Sequence, residues 1–163
     1  MPVIREDGLQ LEEHRGFQRA FWLVQRCAWV LFGLILLMAL SGLTGAGGHL
    51  GRGNLTFRNG ELDFPRVARW AASDEIRVRF DAGGDAHSLS FGSVFYDYFE
   101  VEAVQPEPQQ MLASVEGTTM QFRTRPHSPA HVVVYVRPLR PGFPRYPVQL
   151  DAAAAEVRGV VLP

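Results

Sequence analysis

Residues 27–51 read CAWVLFGLILLMALSGLTGAGGHLG and contain no Asp, Glu, Lys or Arg. A bilayer core about 30 Å thick is crossed by about 20 helical residues. A core helix of a soluble protein is rarely apolar on every side over such a length. The sequence therefore predicts one membrane-spanning helix over residues 27–46, followed by a Gly-rich exit over residues 47–54.

A cleaved signal peptide is the alternative interpretation of this stretch. Signal peptides have a short basic leader and an apolar run of about 7–15 residues. Here the leader is 26 residues long, carries charges of both signs and precedes a longer apolar run. We therefore favour an uncleaved anchor.

Residues 1–26 are predicted to form an interfacial helical segment that continues into the span. Asp7, followed three residues later by Gln10, is typical of a helix N-terminus. Aromatic and basic side chains fix the depth of a helix at the lipid headgroups. The residues of these types at the membrane boundary are Phe21, Trp22, Arg26 and Trp29.

The orientation of the span is inferred from the size of its flanking segments, because the Arg residues on the two sides differ too little in number. A short retained leader followed by a large domain is most simply exported as its C-terminal part. We expect a bacterial inner-membrane protein with a cytoplasmic N-terminus and a periplasmic C-terminal domain.

The end of the span is rich in small residues. Small residues four apart allow the backbone of another helix to approach closely in lipid. Alternatively, the glycines only end the helix and form a flexible exit. The candidate helix-packing residues are Ser41, Gly42, Gly45 and Ala46.

The remaining chain, residues 55–163, changes from helical to strand periodicity. Asn59-Gly60 is a favoured type I′ hairpin turn, which would pair Arg58 with Glu61. Residues 75–80 alternate strictly between polar and apolar side chains. Further strands are predicted at residues 88–91, 98–104, 111–115, 118–123, 131–137, 146–150 and 156–162. Residues 93–97 are ambiguous, and a short helical turn leading into the next strand is one interpretation of them.

Short strands at this spacing, separated by Gly and Pro turns, indicate an antiparallel β-sandwich or open barrel. The predicted fold class is thus a single transmembrane α-helix plus an all-β domain, with an immunoglobulin-like sandwich as the preferred architecture. Trp70 and the aromatic run at residues 95–99 belong either to its core or to a contact patch, and we favour the core.

Composition and motifs exclude several classes of function. The net charge is −1 and all 16 basic residues are Arg, which does not indicate nucleic-acid binding. The single cysteine, Cys27, has no partner for an internal disulfide. The five histidines have no zinc-site spacing, and Glu100 and Glu102 fit the solvated face of a strand rather than an acid–base pair. We therefore predict no catalytic residues, no metal and no cofactor, and a protein that is not an enzyme.

One Pro-rich loop, residues 137–147, carries the residue types that are favoured in protein interfaces. Four prolines stiffen it. The alternative is an ordinary connection between two strands. Its candidate docking residues are Arg137, Arg140, Phe143, Arg145 and Tyr146.

The chain resembles a group of uncharacterised single-pass proteobacterial inner-membrane proteins with a small exported β domain. The similarity covers most of the chain. The resemblance implies an anchored exported domain and no activity. It is carried by Phe21-Trp22 and Arg26 in the leader, one span with a Gly-rich exit, the hairpin, and residues 99–102, 105–108, 132–138 and 160–163.

Three functions are weighed on this basis. The leading hypothesis is a structural or accessory subunit of a larger membrane complex, with integral membrane subunits and the lipid bilayer as partners and a respiratory or photosynthetic assembly as a host. The second is a membrane-tethered periplasmic binding module for a protein or small ligand, which predicts a concave apolar pocket. The third, an enzyme, predicts ionisable groups with perturbed pKa values in one cleft.

Overall fold

The computed structural model of this chain describes residues 15–40 and 51–163. It contains one long helix, α1 (Arg15–Leu40), and a β domain. The chain divides into two compact units, one containing most of α1 and the other containing all the strands. The predicted helix start near residue 8 and the end of the predicted span at residue 46 lie outside the described residues.

The β domain follows the predicted strand periodicity closely. Short strands alternate with tight turns from residue 52 to residue 162. The elements are β1 (Arg52–Phe57), β2 (Gly60–Pro65), β3 (Val67–Arg69), β4 (Asp74–Phe80), β5 (Ala86–Gly92), α2 (Ser93–Tyr98), β6 (Phe99–Gln105), β7 (Gln110–Ser114), β8 (Gly117–Arg123), β9 (Ala130–Pro138), β10 (Arg145–Leu150), β11 (Ala153–Arg158) and β12 (Val160–Leu162).

Ten of these strands form two antiparallel sheets of five. Sheet I has the order β1-β2-β4-β9-β6, and sheet II has the order β11-β10-β5-β8-β7. The remaining strands, β3 and β12, pair in parallel with each other. The prediction of an apolar N-terminal helix followed by an all-β domain with antiparallel sheets is confirmed.

Both sheets contribute to one hydrophobic core. In sheet I, Ile76 and Val78 of β4 lie opposite Val134 and Val132 of β9, and all four side chains are buried. Sheet II contributes residues such as Leu150. Because side chains on a strand alternate between its two faces, burying every second residue leaves the others on the outer face. The strict alternation in the sequence therefore has its physical cause in this shared core.

The short helix α2 supplies the aromatic centre of the core. Phe95 is fully buried and stacks on Phe91 and Phe99, with ring centroids 4.4 and 5.1 Å away. The ring of Tyr146 in β10 meets Phe95 edge-on at 5.0 Å. The helical interpretation of residues 93–97 and the core position favoured for this aromatic run are confirmed.

The predicted register of the first hairpin is wrong. The structure pairs Phe57 with Gly60, so that the turn consists of Arg58 and Asn59 and Arg58 does not face Glu61. Neither turn residue has the positive φ that a type I′ turn requires. The Asn-Gly dipeptide therefore does not form the turn in the way its sequence indicates.

Tertiary contacts explain this register. A Cβ at Gly60 would lie 2.2 Å from the carbonyl oxygen of Arg79 in β4, so the glycine is needed for close approach of two strands. The side chain of Asn59 donates to Asp151, which lies far along the chain. Both contacts involve residues outside the β1–β2 hairpin. The turn preference of a local sequence such as Asn-Gly therefore cannot predict them.

The end of the chain also differs from its prediction as one strand over residues 156–162. The strand breaks at Gly159, whose N–H donates to the carbonyl of Pro144 over 3.1 Å. The chain then leaves sheet II, and β12 pairs with β3. No strand was predicted at β3, because three residues are too few for a period of two to stand out.

Truncation of Phe95 tests its role in the core. We expect Phe95→Ala to lower the free energy of unfolding by about 3–5 kcal/mol, since it leaves a cavity among packed rings. Phe143→Ala is the matched control: Phe143 is 76% exposed, so its truncation should change stability by less than about 0.5 kcal/mol. Urea denaturation of both variants provides the measurement, and equal effects would contradict this assignment of the core.

Candidate interaction surfaces

The outer surface of α1 is apolar along most of the helix. The most apolar 18-residue stretch within Gly16–Leu40 has a mean hydropathy of 2.1, and none of that stretch is buried against other parts of the described chain. By length and composition this helix is able to cross a membrane. A signal sequence near an N-terminus shares these properties, so the helix is either a membrane anchor or a signal sequence.

The predicted membrane-boundary residues lie on α1 with exposed side chains. Phe21, Trp22 and Trp29 are 63%, 54% and 69% exposed. The guanidinium of Arg26 lies 3.8 Å from the ring centroid of Trp22, one helical turn away. This cation–π contact pairs an aromatic and a basic group on one side of the helix.

The predicted helix-packing residues Ser41, Gly42, Gly45 and Ala46 lie outside the described residues. Their proposed packing role therefore stays a prediction.

The Pro-rich loop is fixed to the rest of the β domain by backbone hydrogen bonds. Gly142 and Val161 exchange two of them, at 3.0 and 2.8 Å, and the N–H of Leu139 donates to the carbonyl of Tyr98 over 2.8 Å. Gly142 has φ of +151°, and a Cβ there would lie 2.9 Å from the Tyr98 ring. The loop is therefore held in one conformation against α2 and β12.

Two of the five candidate docking residues are occupied by contacts within the domain. Arg137 lies in β9 and forms ion pairs with Glu100 at 2.9 Å and Glu102 at 3.2 Å. The two carboxylates of β6 are therefore ion-pair partners of Arg137 on the exposed face of sheet I. Tyr146 is only 2% exposed and packs against Phe95, so its ring belongs to the core.

The other three candidates are at the surface. The guanidinium of Arg140 lies 4.2 Å from the ring centroid of Tyr98, which limits its movement. Phe143 projects from the loop with most of its ring exposed. Arg145 is exposed at the start of β10.

Trp70 joins this loop in the folded chain. Its indole Nε1–H donates to the carbonyl of Leu139 over 3.0 Å, and its side chain is 53% exposed rather than in the core as favoured from the sequence. Trp70, Leu139, Arg140 and Phe143 together are called the Trp70–Phe143 patch. The sequence did not reveal this contact of Trp70 because its partner lies 69 residues away along the chain.

A polar cluster connects two turns of the β domain with strand β5. Asp151, in the turn between β10 and β11, accepts hydrogen bonds from His87 Nδ1 at 2.8 Å and from the backbone N–H of Ser88 at 2.7 Å. It also accepts a hydrogen bond from the amide of Asn59. The imidazole of His87 stacks on Phe80, with centroids 4.7 Å apart. The cluster therefore joins the β1–β2 turn of sheet I to two segments of sheet II.

The pKa of Asp151 reflects these contacts. Partial burial acts to raise the pKa, but the hydrogen bonds from His87, Ser88 and Asn59 favour the carboxylate, and the net pKa is lowered from 3.8. Asp151 also has φ of +49°, a left-handed conformation that Asp tolerates better than most residues. No sequence motif marks this cluster.

Within residues 15–40 and 51–163, no three His, Cys, Asp or Glu side chains are grouped so that they could hold a metal ion.

Comparisons with known proteins identify no family for this chain. No protein-family model matches its sequence, and no curated protein matches it. A crystal structure of domains 4 and 5 of the S-layer protein SbsC is similar, with a TM-score of 0.41 and 11% sequence identity over 69% of this chain. The alignment covers 54% of that structure, so the chain spans about half of its length.

Replacing Asp151 tests the polar cluster through its pH dependence. A carboxyl group with a lowered folded-state pKa stabilises the fold fully above its unfolded-state value, and this stabilisation is lost as the pH falls through the folded-state pKa. Asp151→Asn should therefore be less stable than the parent by a constant amount above pH 3.8, and by a shrinking amount below it. Denaturation at a series of pH values measures this difference. The exposed Asp97→Asn serves as the control, and a pH-independent difference for Asp151→Asn would contradict the assignment.

Proposed function

We propose that this protein is a membrane-anchored accessory subunit of a larger membrane protein complex. In this proposal α1 remains in the bacterial inner membrane, with the N-terminus in the cytoplasm and the β domain in the periplasm. The β domain braces the exported face of the complex. A respiratory or photosynthetic assembly is the proposed host, and its integral membrane subunits are the partners.

The Trp70–Phe143 patch is the observation that carries the proposal. Trp and Arg are enriched among the residues that dominate binding energy in protein interfaces. Trp70 and Phe143 are both exposed; a hydrogen bond joins Trp70 to the loop, and the Arg140–Tyr98 contact helps to hold the loop in place. Exposed aromatic side chains whose surroundings are already ordered lose little conformational entropy when a partner covers them. These features favour docking to a protein surface.

The apolar length of α1 supports the anchoring part of the proposal. A helix of this composition gains free energy when it moves from water into lipid. The stacking of Arg26 on Trp22 fits a position at the headgroups, where an aromatic ring and a cation are both favourable.

We also propose that the β domain is an immunoglobulin-like sandwich with additional strands, namely β1, β3, β12 and the β7–β8 hairpin. In constant-type immunoglobulin domains, strands A, B, E and D form one sheet and G, F and C form the other. The orders β2-β4-β9-β6 and β11-β10-β5 have the same sequence ranks. The added hairpin is β7–β8, which lies beside the strand equivalent to C. Domains of this class commonly support interactions rather than chemistry, although fold alone does not decide function.

The alternative function is a tethered module that binds a periplasmic protein or small ligand. A depression on the outer face of sheet II is lined by residues that include Ser90, Thr119, Pro147 and Gln149. Small-molecule sites are lined predominantly by hydrophobic and aromatic side chains. The lining of this depression is a mixture of polar and small apolar groups without an exposed aromatic ring, which favours the accessory-subunit proposal over capture of a small apolar ligand.

Truncating the patch tests the proposed docking. Trp70→Ala combined with Phe143→Ala should reduce recovery of membrane partners about tenfold or more in a mild-detergent pull-down from the native membrane. Val115→Ala is the matched control, because Val115 is 97% exposed and lies outside the patch. Recovery is quantified by mass spectrometry. Equal recovery for both variants, or isolation of the parent chain without any fixed partner, would refute the docking role of the patch.

Labelling of a single cysteine tests the orientation. Cys27 is the chain's one cysteine, so Cys27→Ser combined with Val115→Cys carries one thiol on the β domain. We expect a membrane-impermeant maleimide to label it in intact spheroplasts, and the labelled chain to stay in membranes after an alkaline wash. Labelling only after lysis would reverse the orientation, and a soluble, shortened chain would identify a cleaved signal sequence.

A further inference from the structure

The edge strand β7 is an unusual part of the β domain. All five residues of Gln110–Ser114 are exposed, and no strand within residues 51–163 pairs with its outer edge. Met111 is 55% exposed and Leu112 is 47% exposed. An open edge of this kind presents unpaired N–H and C=O groups to any strand that approaches.

The other open edges of the two sheets carry charges, and β7 does not. Edge strands are commonly protected from pairing by charged side chains. Sheet I ends at β1, which has Arg52, and at β6, which has Glu100 and Glu102. Sheet II ends at β11, with Glu156 and Arg158, and at β7, whose sequence QMLAS is uncharged. By this criterion β7 is the edge that lacks protection.

The outer faces of the two sheets show the same contrast. On sheet I, Arg79 forms ion pairs with Glu61 at 3.1 Å and with Asp81 at 2.9 Å, as expected for a solvated face. The centre of sheet II has instead a hydrogen bond between Ser90 and Thr119 at 2.8 Å. Charged residues are depleted at the centres of protein interfaces. This uncharged central row continues through Thr119 to its partner Leu112 in β7.

We propose that β7 pairs antiparallel with β7 of a second copy of this chain. The two five-stranded sheets then become one sheet of ten strands, related by a twofold axis at Leu112. This interaction surface is separate from the Trp70–Phe143 patch and does not depend on the proposed host complex.

The sequence of β7 is self-complementary in this register. Gln110 faces Ser114 of the second copy, Met111 faces Ala113, and Leu112 faces its own equivalent. Each pair therefore matches polar with polar or apolar with apolar, as an isologous interface requires. No like charges meet in any of these pairs.

The hydrogen-bonding pattern of the β7–β8 hairpin agrees with this register. Ser114 pairs with Gly117 across the two-residue turn, and backbone groups of alternate residues point in opposite directions along an antiparallel strand. Residues 110, 112 and 114 therefore bond to β8, which leaves Met111 and Ala113 with N–H and C=O groups on the outer edge. With the axis at Leu112, these two residues exchange both hydrogen bonds between the copies.

A charge on the axis tests the proposal. The full chain, reconstituted in detergent, should have the mass of two copies by light scattering, and Leu112→Arg should have the mass of one, because two like charges meet on the axis. Ala154→Arg is the matched control: it adds the same charge to an exposed position of β11, at the opposite edge of sheet II, and should leave the dimer intact. Leu112 is about half exposed, so the variant should fold, and its thermal unfolding midpoint verifies this.

Cysteine cross-linking tests the register directly. In a Cys27→Ser background, Leu112→Cys should form a disulfide with its equivalent, since non-hydrogen-bonded pairs have Cα atoms about 4.5 Å apart. Gln110→Cys alone should not cross-link, because its equivalent lies about 14 Å away along the strand. A mixture of Gln110→Cys and Ser114→Cys chains should cross-link as a heterodimer. Ala154→Cys is the negative control.

The outcomes separate the possible occupants of this edge. A twofold mass that Leu112→Arg abolishes, with cross-links in the stated register, supports the proposal. A single-copy mass at all concentrations, a dimer that survives Leu112→Arg, or cross-linking of Leu112→Cys to a different protein would overturn it.

Discussion

The structure of the β domain depends on burying the inner faces of two antiparallel sheets against each other. Valine residues of β9 and isoleucine, valine and phenylalanine of β4 form one side of this core, and sheet II forms the other. Phe95 enters it from α2 and contacts four other aromatic rings, those of Phe91, Tyr96, Phe99 and Tyr146. Because apolar burial is the main favourable term in folding, the other features of the domain are arranged around it.

Burial of the inner faces leaves the outer faces, the edges and the loops for interactions. These surfaces differ in chemistry. The outer face of sheet I is covered by ion pairs such as those of Arg79 and Arg137, which are well solvated and contribute little each. The centre of the outer face of sheet II is uncharged, with Ser90 beside Thr119, and the sheet ends in the uncharged edge β7. The edge strand β7 and the Pro-rich loop with Trp70, rather than a cavity, therefore present the groups that another protein would contact.

The connections between the sheets hold these surfaces in place. Asp151 links the β1–β2 turn to sheet II through three hydrogen-bonding partners, and β12 carries the end of the chain to β3. The Pro-rich loop is attached to β12 and to Tyr98. Such cross-connections lower the entropy that is lost on binding. A rigid β domain of this kind suits the proposed role of an accessory subunit that contacts neighbouring proteins.

The sequence by itself determined the elements that depend on local patterns: the apolar helix and the alternating strands. It also identified the Pro-rich loop from its residue types, but not which of its aromatic rings is exposed. Tertiary structure decided the strand order, the hairpin register at Gly60, the burial of Tyr146 and the contact of Trp70 with Leu139. The reason is physical: periodicity is a property of a few neighbouring residues, whereas pairing is chosen by contacts between segments as far apart as Asn59 and Asp151, 92 residues along the chain.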